Sequence, residues 1–205
     1  MQIFLLAVLI FWSIAISTGV SNASEATDCA KISDPDDRLN CYDEIFRVTA
    51  PSPEIVTGIG KWSVSSTTSK IDDSKNVYLR LDANDTVRGR YGDRVRVSIT
   101  VACTENTTMI YFDFGGHHMS DYQYGTITYR VDDKKARKKR FRESTDNEAL
   151  GLWNGGSSIP FLKSIMSGKS LLVRATPYGE SAIDSVFEIS GLQNALKPLR
   201  EACHW

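Results

Sequence analysis

The chain has 205 residues, with 24 Lys and Arg against 25 Asp and Glu and a net charge of −1. So even a balance gives no global attraction to nucleic acid or to an anionic membrane surface. The length suits one ordinary domain with an appendage, large enough to bury a real core.

Residues 1–20, MQIFLLAVLIFWSIAISTGV, carry no charged side chain, and Ser21-Asn22-Ala23 follow in an A-x-A-like arrangement. The pattern predicts a signal peptide over 1–23, cleaved near Ala23, and hence a periplasmic or secreted protein. An N-terminal membrane anchor is the alternative, because the leader has no basic start and about twenty apolar residues can span a bilayer. Ala26-Thr27-Asp28 before Cys29 is no lipobox.

All four cysteines, Cys29, Cys41, Cys103 and Cys203, follow the leader. An even count in an exported chain predicts two disulfides, with three pairings open on count alone. Cys29 and Cys41 lie in TDCAKISDPDDRLNCYDEIFRV. On one straight helix they would stand about 18 Å apart, and a disulfide needs Cα atoms within roughly 7 Å. Asp34-Pro35-Asp36-Asp37 supplies a break, since proline disfavours the helical region for the residue before it and suits a helix start. The segment therefore reads as a turn of helix near 27–32 and a second helix from about 36 to 48 capped by Asp34. Together they form a hairpin over 24–48 that brings Cys29 beside Cys41. Leu39, Tyr42, Ile45 and Phe46 give the second helix an apolar face. A zinc site here would lack half of its ligands.

Residues 49–57, TAPSPEIVT, read as a linker, and 58–205 as a β-rich domain ending in a helix. From Trp62 onward the period becomes strand-like. NVYLRLDA alternates Val77, Leu79 and Leu81 against Tyr78, Arg80 and Asp82. RVRVSITVAC places Val95, Val97, Ile99, Val101 and Cys103 on the core face and Arg94, Arg96, Ser98 and Thr100 on the wet one. Further strands are predicted at 107–114, 124–131, 170–176 and 183–189. SSIPFLKSIMSGK predicts a helix with serine caps and Gly168 as its stop. The last helix is predicted to start at Ser190 with Gln193 completing a capping box, to bend at Pro198 and to end at Cys203. Cys103 on a core face and Cys203 at the end of that helix are expected to pair.

The run DCAKISDPDDRLNCYDEIF, then SKIDDSKNVYLRLDA, VRVSITVAC and the closing FEISGLQNALKPLREACHW resembles the TagO/VasI family of type VI secretion-associated proteins of bacteria. The likeness spans residues 28–205. It implies a periplasmic accessory factor, with no cofactor and no catalytic residue to carry over.

One charged segment stands apart. KKARKKRFR holds Lys134, Lys135, Arg137, Lys138, Lys139, Arg140 and Arg142 with no acid. It reads either as a solvated connection after the YGTITYRV strand or as an anion- or partner-binding arm. Phe141 is its one aromatic residue, so base stacking is poorly supplied and nucleic acid is not expected. Residues 24–48 carry an excess of four acids, enough to attract a basic partner or simply to keep a small hairpin soluble. His117 and His118 are adjacent, so on a strand they point to opposite faces and do not share a metal. Asp72-Asp73-Ser74 reads as a turn. No G-x-S-x-G or phosphate loop is present, and no nucleophile is placed beside a base.

These readings predict an α+β, mainly β protein: an antiparallel sandwich-like domain with an N-terminal helical hairpin and a C-terminal helix. They predict a non-catalytic envelope protein that assists a secretion machine by binding an envelope or secretion-apparatus protein. An anionic lipid or cell-wall surface is a further candidate partner. A cell-envelope hydrolase, or an inhibitor of one, is the alternative.

Overall fold

A computed structural model describes residues 22–46, 58–120 and 122–205. Residues 1–21 of the expected 1–23 leader, the end of the expected second helix at 47–48 and the linker over 49–57 lie outside the described residues. The chain divides into two compact units.

The first unit is a helical hairpin of α1 (Asn22–Cys29) and α2 (Pro35–Phe46). The Asp34 carboxylate accepts the amides of Asp36 at 2.9 Å and Asp37 at 3.1 Å, capping α2 one residue before its proline. Asp36 and Asp37 occupy the first turn, where the helix dipole favours negative charge. Cys29 and Cys41 are bonded, with Cα atoms 5.6 Å apart. The first helix lies earlier than expected, and the amides of 30–32 donate to its last carbonyls, those of Ala26, Asp28 and Cys29. Leu39, expected on the apolar face, is 60% exposed.

Among its described residues the second unit carries eleven strands and two helices. In chain order these are β1 (Ser63–Thr68), β2 (Lys75–Asp82), β3 (Val87–Arg88), β4 (Arg94–Val95), β5 (Ser98–Thr104) and β6 (Thr107–Asp113). They continue with β7 (Tyr124–Val131), β8 (Arg137–Glu143), β9 (Ala149–Leu152), α3 (Gly155–Ile165), β10 (Ser170–Ala175), β11 (Ile183–Glu188) and α4 (Leu192–Ala202). Nine strands form one antiparallel sheet in the order β1-β2-β5-β6-β9-β8-β7-β10-β11, and β3 and β4 form a separate ribbon. The fold is thus α+β and mainly β, built on one continuous sheet.

The sheet curls over its own apolar face. Phe112 on β6 meets Phe141 on β8 at 5.7 Å, Phe161 on α3 at 6.4 Å and Phe187 on β11 at 6.3 Å. These edge-on contacts bring strands five places apart in the sheet around one aromatic centre. The curl is tied where its first and last strands approach. The Trp62 indole donates to the Ile189 carbonyl at 3.4 Å, the Asn84 amide to the Val186 carbonyl at 2.8 Å, and Lys61 pairs with Glu188 at 2.7 Å.

The start of α4 departs from the expected capping box. Gly191 is its N-cap, at φ 86°, with no side-chain cap. A Cβ on Gly191 would lie 2.3 Å from the Ile59 carbonyl carbon, and one on Gly60 would lie 2.3 Å from the Ser190 carbonyl oxygen. Two backbones cross here at a distance only glycines permit. At α3 the cap is Asn154, whose side chain accepts from Ser157 at 3.0 Å, so the helix begins two residues before the expected serines.

The expected 94–103 strand is broken. Arg94 and Val95 pair with β3, whereas β5 pairs with β2 and β6. Arg96 sits at the corner and donates to the Ala83 and Asn84 carbonyls. Ser98 and Thr100, expected in water, are buried. Thr100 lies between the long side chains of Arg80 and Tyr111, and Ser98 between Asp82 and Asp113.

Leu192, Ala195, Leu196 and Leu199 bury the inner face of α4, and the bonded Cys103–Cys203 pair, with Cα atoms 5.9 Å apart, ties its end to β5. The bond closes a sequence separation of 100 residues. A loop of that size is worth up to about 4.7 kcal/mol in the chain-entropy model. The Cys103→Ala/Cys203→Ala variant should therefore lose roughly 2–5 kcal/mol in urea unfolding followed by tryptophan emission. A loss under about 1 kcal/mol would show that core packing alone holds α4.

Candidate functional site

The basic run is neither a free connection nor a flexible arm. Lys134 and Lys135 lie in the turn after β7, and Arg137 to Arg142 form most of β8, paired with β7 along its length. Alternation then sorts the charges. Phe141 points inward and is fully buried, with its ring 5.5 Å from Phe161. Arg137 and Lys139 share that side at the open end of the strand. Lys138, Arg140 and Arg142 point outward, each exposed. On β7 the same outward face carries Tyr124, Thr126, Thr128 and Arg130, set by the pairs Tyr124–Arg142, Thr126–Arg140 and Thr128–Lys138.

The outward face is therefore a grid of four cations, Arg130, Lys138, Arg140 and Arg142, with one aromatic ring in it. The Arg140 guanidinium lies 4.4 Å from the Tyr124 ring centroid, a cation–π contact. Among the described residues, no carboxylate forms an ion pair with any of the four. The next cation across the sheet, Arg174 on β10, is by contrast held in a two-pronged pair by Asp184 on β11. That guanidinium keeps the Asp184 carboxyl below the usual carboxylate range. On β7 and β8 four such cations stand together on one face.

Asp132 fixes the turn that launches β8. Its φ is 49°, a left-handed conformation that Asp tolerates. Its carboxylate accepts the amides of Ser170 and Lys169, each at 2.9 Å, and these bonds, with that of Ser170 foremost, hold its carboxyl below the usual range.

A second feature adjoins the grid. At the end of β8 an open cleft of about 520 Å³ is lined by Gln123, Arg142, Glu143, Ser144, Asn147 and Trp153. Trp153 is built in. Its ring packs where a side chain on Gly151 would stand, 2.4 Å from the position of an ideal Cβ. It stacks on Tyr111 at 5.3 Å and 26°, and its Nε1 donates to the Arg142 carbonyl at 3.0 Å. The rim over 144–148 is equally fixed. The Ser144 hydroxyl bonds to Asp146 and accepts from the Ala149 amide at 3.0 Å. With its nitrogen turned toward its acceptors, the Asn147 amide donates to the Ser144 carbonyl and to Glu143 Oε1, each at 3.2 Å.

His117 and His118 are used structurally. His117 is buried, with Nε2 2.8 Å from the Arg88 carbonyl and Nδ1 2.9 Å from the Glu180 carboxylate. His118 packs edge-on against Tyr178 at 6.0 Å. Asp72 closes the β1–β2 turn by accepting from the Ser74 amide and hydroxyl. Among the described residues no cluster of His, Cys, Asp or Glu could hold a metal ion, and no helix is long and apolar enough to cross a membrane.

Of the seven predicted cations, only Lys138, Arg140 and Arg142 share the outward face. Arg130, Gln123, Asn147 and Trp153 escape a reading by charge density. The available signal was Gly151-Leu152-Trp153: on a strand, residues two apart share a face, so a glycine there gives the ring its resting place.

These features define a disulfide-stapled, mainly β protein in which β7 and β8 present four exposed cations on one face. The chain belongs to the VasI family: the family model described as "Type VI secretion system VasI, EvfG, VC_A0118" matches residues 28–205. No curated protein matches the chain. Among solved structures it is similar to invasion associated protein B from Bartonella henselae, at 16% identity and a TM-score of 0.44, covering 70% of this chain and 92% of that one.

If Asp132 anchors β8, Asp132→Ala should lower the melting temperature at pH 7. A depressed carboxyl stabilises the fold above the ordinary carboxylate pKa and loses that contribution as pH falls. The gap between parent and variant should therefore close as the pH drops below about 4. A gap unchanged between pH 7 and pH 3 would count against the bonds.

Proposed function

We propose that this protein is a non-catalytic accessory factor of type VI secretion that works by binding, through the outward face of β7 and β8, an envelope or secretion-apparatus protein of acidic character. Membership of the VasI family supports the association with secretion. The observation that carries the binding mode is the set of four exposed cations on two paired strands, none neutralised by a carboxylate among the described residues. A rigid row of unpaired charge costs stability through repulsion and is suited to steering a partner of opposite sign.

Two disulfides fit an oxidising compartment. In this reading the leader over 1–23 is removed and the protein acts in the periplasm or outside the cell. The acidic hairpin of residues 24–48 is a separate unit, joined through 49–57 to the β domain of 58–205.

The test is affinity capture from solubilised envelope of a strain that carries a type VI system. The bait is the oxidised protein, run beside Arg130→Glu/Lys138→Glu/Arg140→Glu and beside Lys134→Glu/Lys135→Glu. A secretion component should be captured by the parent and by the turn variant, and lost with the outward-face variant. Capture should weaken as salt rises, because exposed charges are screened over about 10 Å at 0.1 M. Equal capture by all three proteins would refute the assignment of the face.

A further inference from the structure

The cleft beside Trp153 is not explained by a docking face of positive charge. Its floor is an indole, its sides carry the neutral amides of Gln123 and Asn147, and its two charges, Arg142 and Glu143, are adjacent and opposite. We propose that this cleft is a saccharide-binding site, which takes a pyranose ring of a cell-envelope glycan against Trp153.

Three observations lead there. First, the indole is immobilised before any ligand arrives. Gly151 makes room for it, Tyr111 stacks on it, and its own N–H is spent on the Arg142 carbonyl. What it offers the cleft is therefore ring surface alone, an apolar platform of fixed orientation. Second, the surrounding groups are mixed donors and acceptors. Gln123 is exposed, with no side-chain bond among the described residues, and the Arg142 guanidinium is unpaired there too. With the Asn147 nitrogen turned inward, its oxygen remains as an acceptor. Third, one acceptor on the wall is unsatisfied. Glu143 Oε2 is closed off from solvent and has no hydrogen-bond partner, while Oε1 receives the Asn147 amide. A buried polar atom without a partner in a native fold calls for an explanation.

The chemistry selects among ligands. A phosphate or carboxylate would meet the Glu143 charge. An aliphatic group would cover the amides of Gln123 and Asn147 and leave them unpaired, at a cost of about 1–3 kcal/mol for each buried group. A pyranose matches both halves of the site. Its C–H face lies on the indole, and its equatorial hydroxyls, each a donor and an acceptor, reach the amides, the carboxylate and the guanidinium. The volume of about 520 Å³ lies within the range of small-molecule sites and accommodates one or two rings.

The experiment is a ¹H–¹⁵N titration of the full oxidised protein with N-acetylchitotetraose and, separately, with maltotetraose. The first carries acetamido groups and the second does not. With at least one probe, the Trp153 indole signal and the side-chain amides of Gln123 and Asn147 should shift at millimolar concentration, and those of Trp62 and Trp205 should stay in place. Trp153→Ala should weaken binding about tenfold or more, and Gln123→Ala, at an exposed position, by about threefold. The capture test above uses neither residue, so failure of the cleft and failure of the cationic face are distinguishable. No shift with either probe at about 10 mM, or shifts that persist at full size in both variants, overturns the proposal.

Discussion

Phe141 is the residue on which the surface of this protein depends. It is the one large apolar side chain in a run that otherwise holds only Lys, Arg and a single alanine. Its ring is buried against Phe112 and Phe161 at 5.7 and 5.5 Å. Fully burying a side chain of this size is worth about 1.5–3 kcal/mol. A strand has a side-chain period of two, so fixing one residue inward fixes the facing of all its neighbours. Lys138, Arg140 and Arg142 must then point outward. The same register sets the Arg142 carbonyl under the Trp153 indole and puts Glu143 on the cleft wall. One buried ring thus orients both the cationic grid and the platform beside it.

The rest of the domain holds that strand still. The sheet would be an open ribbon without its ties. Trp62, Asn84 and Lys61 bind its first strands to its last, and Gly60 and Gly191 let two backbones cross at the base of α4. The second disulfide then fastens the far end of α4 to β5. β8 is itself only partly enclosed. β9 pairs with Arg142 and Glu143 alone, so the earlier part of β8 is a sheet edge. Lys and Arg on such an edge also discourage pairing with another chain. The charges therefore suit an exposed strand edge that does not pair with a second chain.

Much of this was legible in the sequence, for physical reasons that differ by element. Clean alternation in NVYLRLDA marked β2, and Pro35 behind Asp34 marked the fold-back that α1 and α2 make. The basic run was not legible as a strand. Seven like charges lack the apolar alternation that a strand prediction reads, and β8 is made by tertiary burial of Phe141 rather than by propensity. The capping box at Ser190 failed for a related reason. Gln193 has the right spacing, but the backbone crossing at Gly60 demands a left-handed glycine at 191, which shifts the cap. Ser98 and Thr100 looked solvent-facing by period alone, but β5 is a central strand with β2 and β6 on either side, and both residues are covered. The cleft was the least visible feature, because its residues come from three separate stretches around 123, 142–147 and 153.

The central claim is that β8 presents one face of its charges to a partner. The most direct test is site-specific photo-crosslinking in cells that carry a type VI system, with the reactive side chain placed at 138 in one strain and at 139 in another. These neighbours differ in little but the face they occupy. The account predicts an adduct with a secretion-apparatus or envelope protein from position 138 and little or none from 139. Equal adducts from both positions, or one from 139 alone, would contradict it.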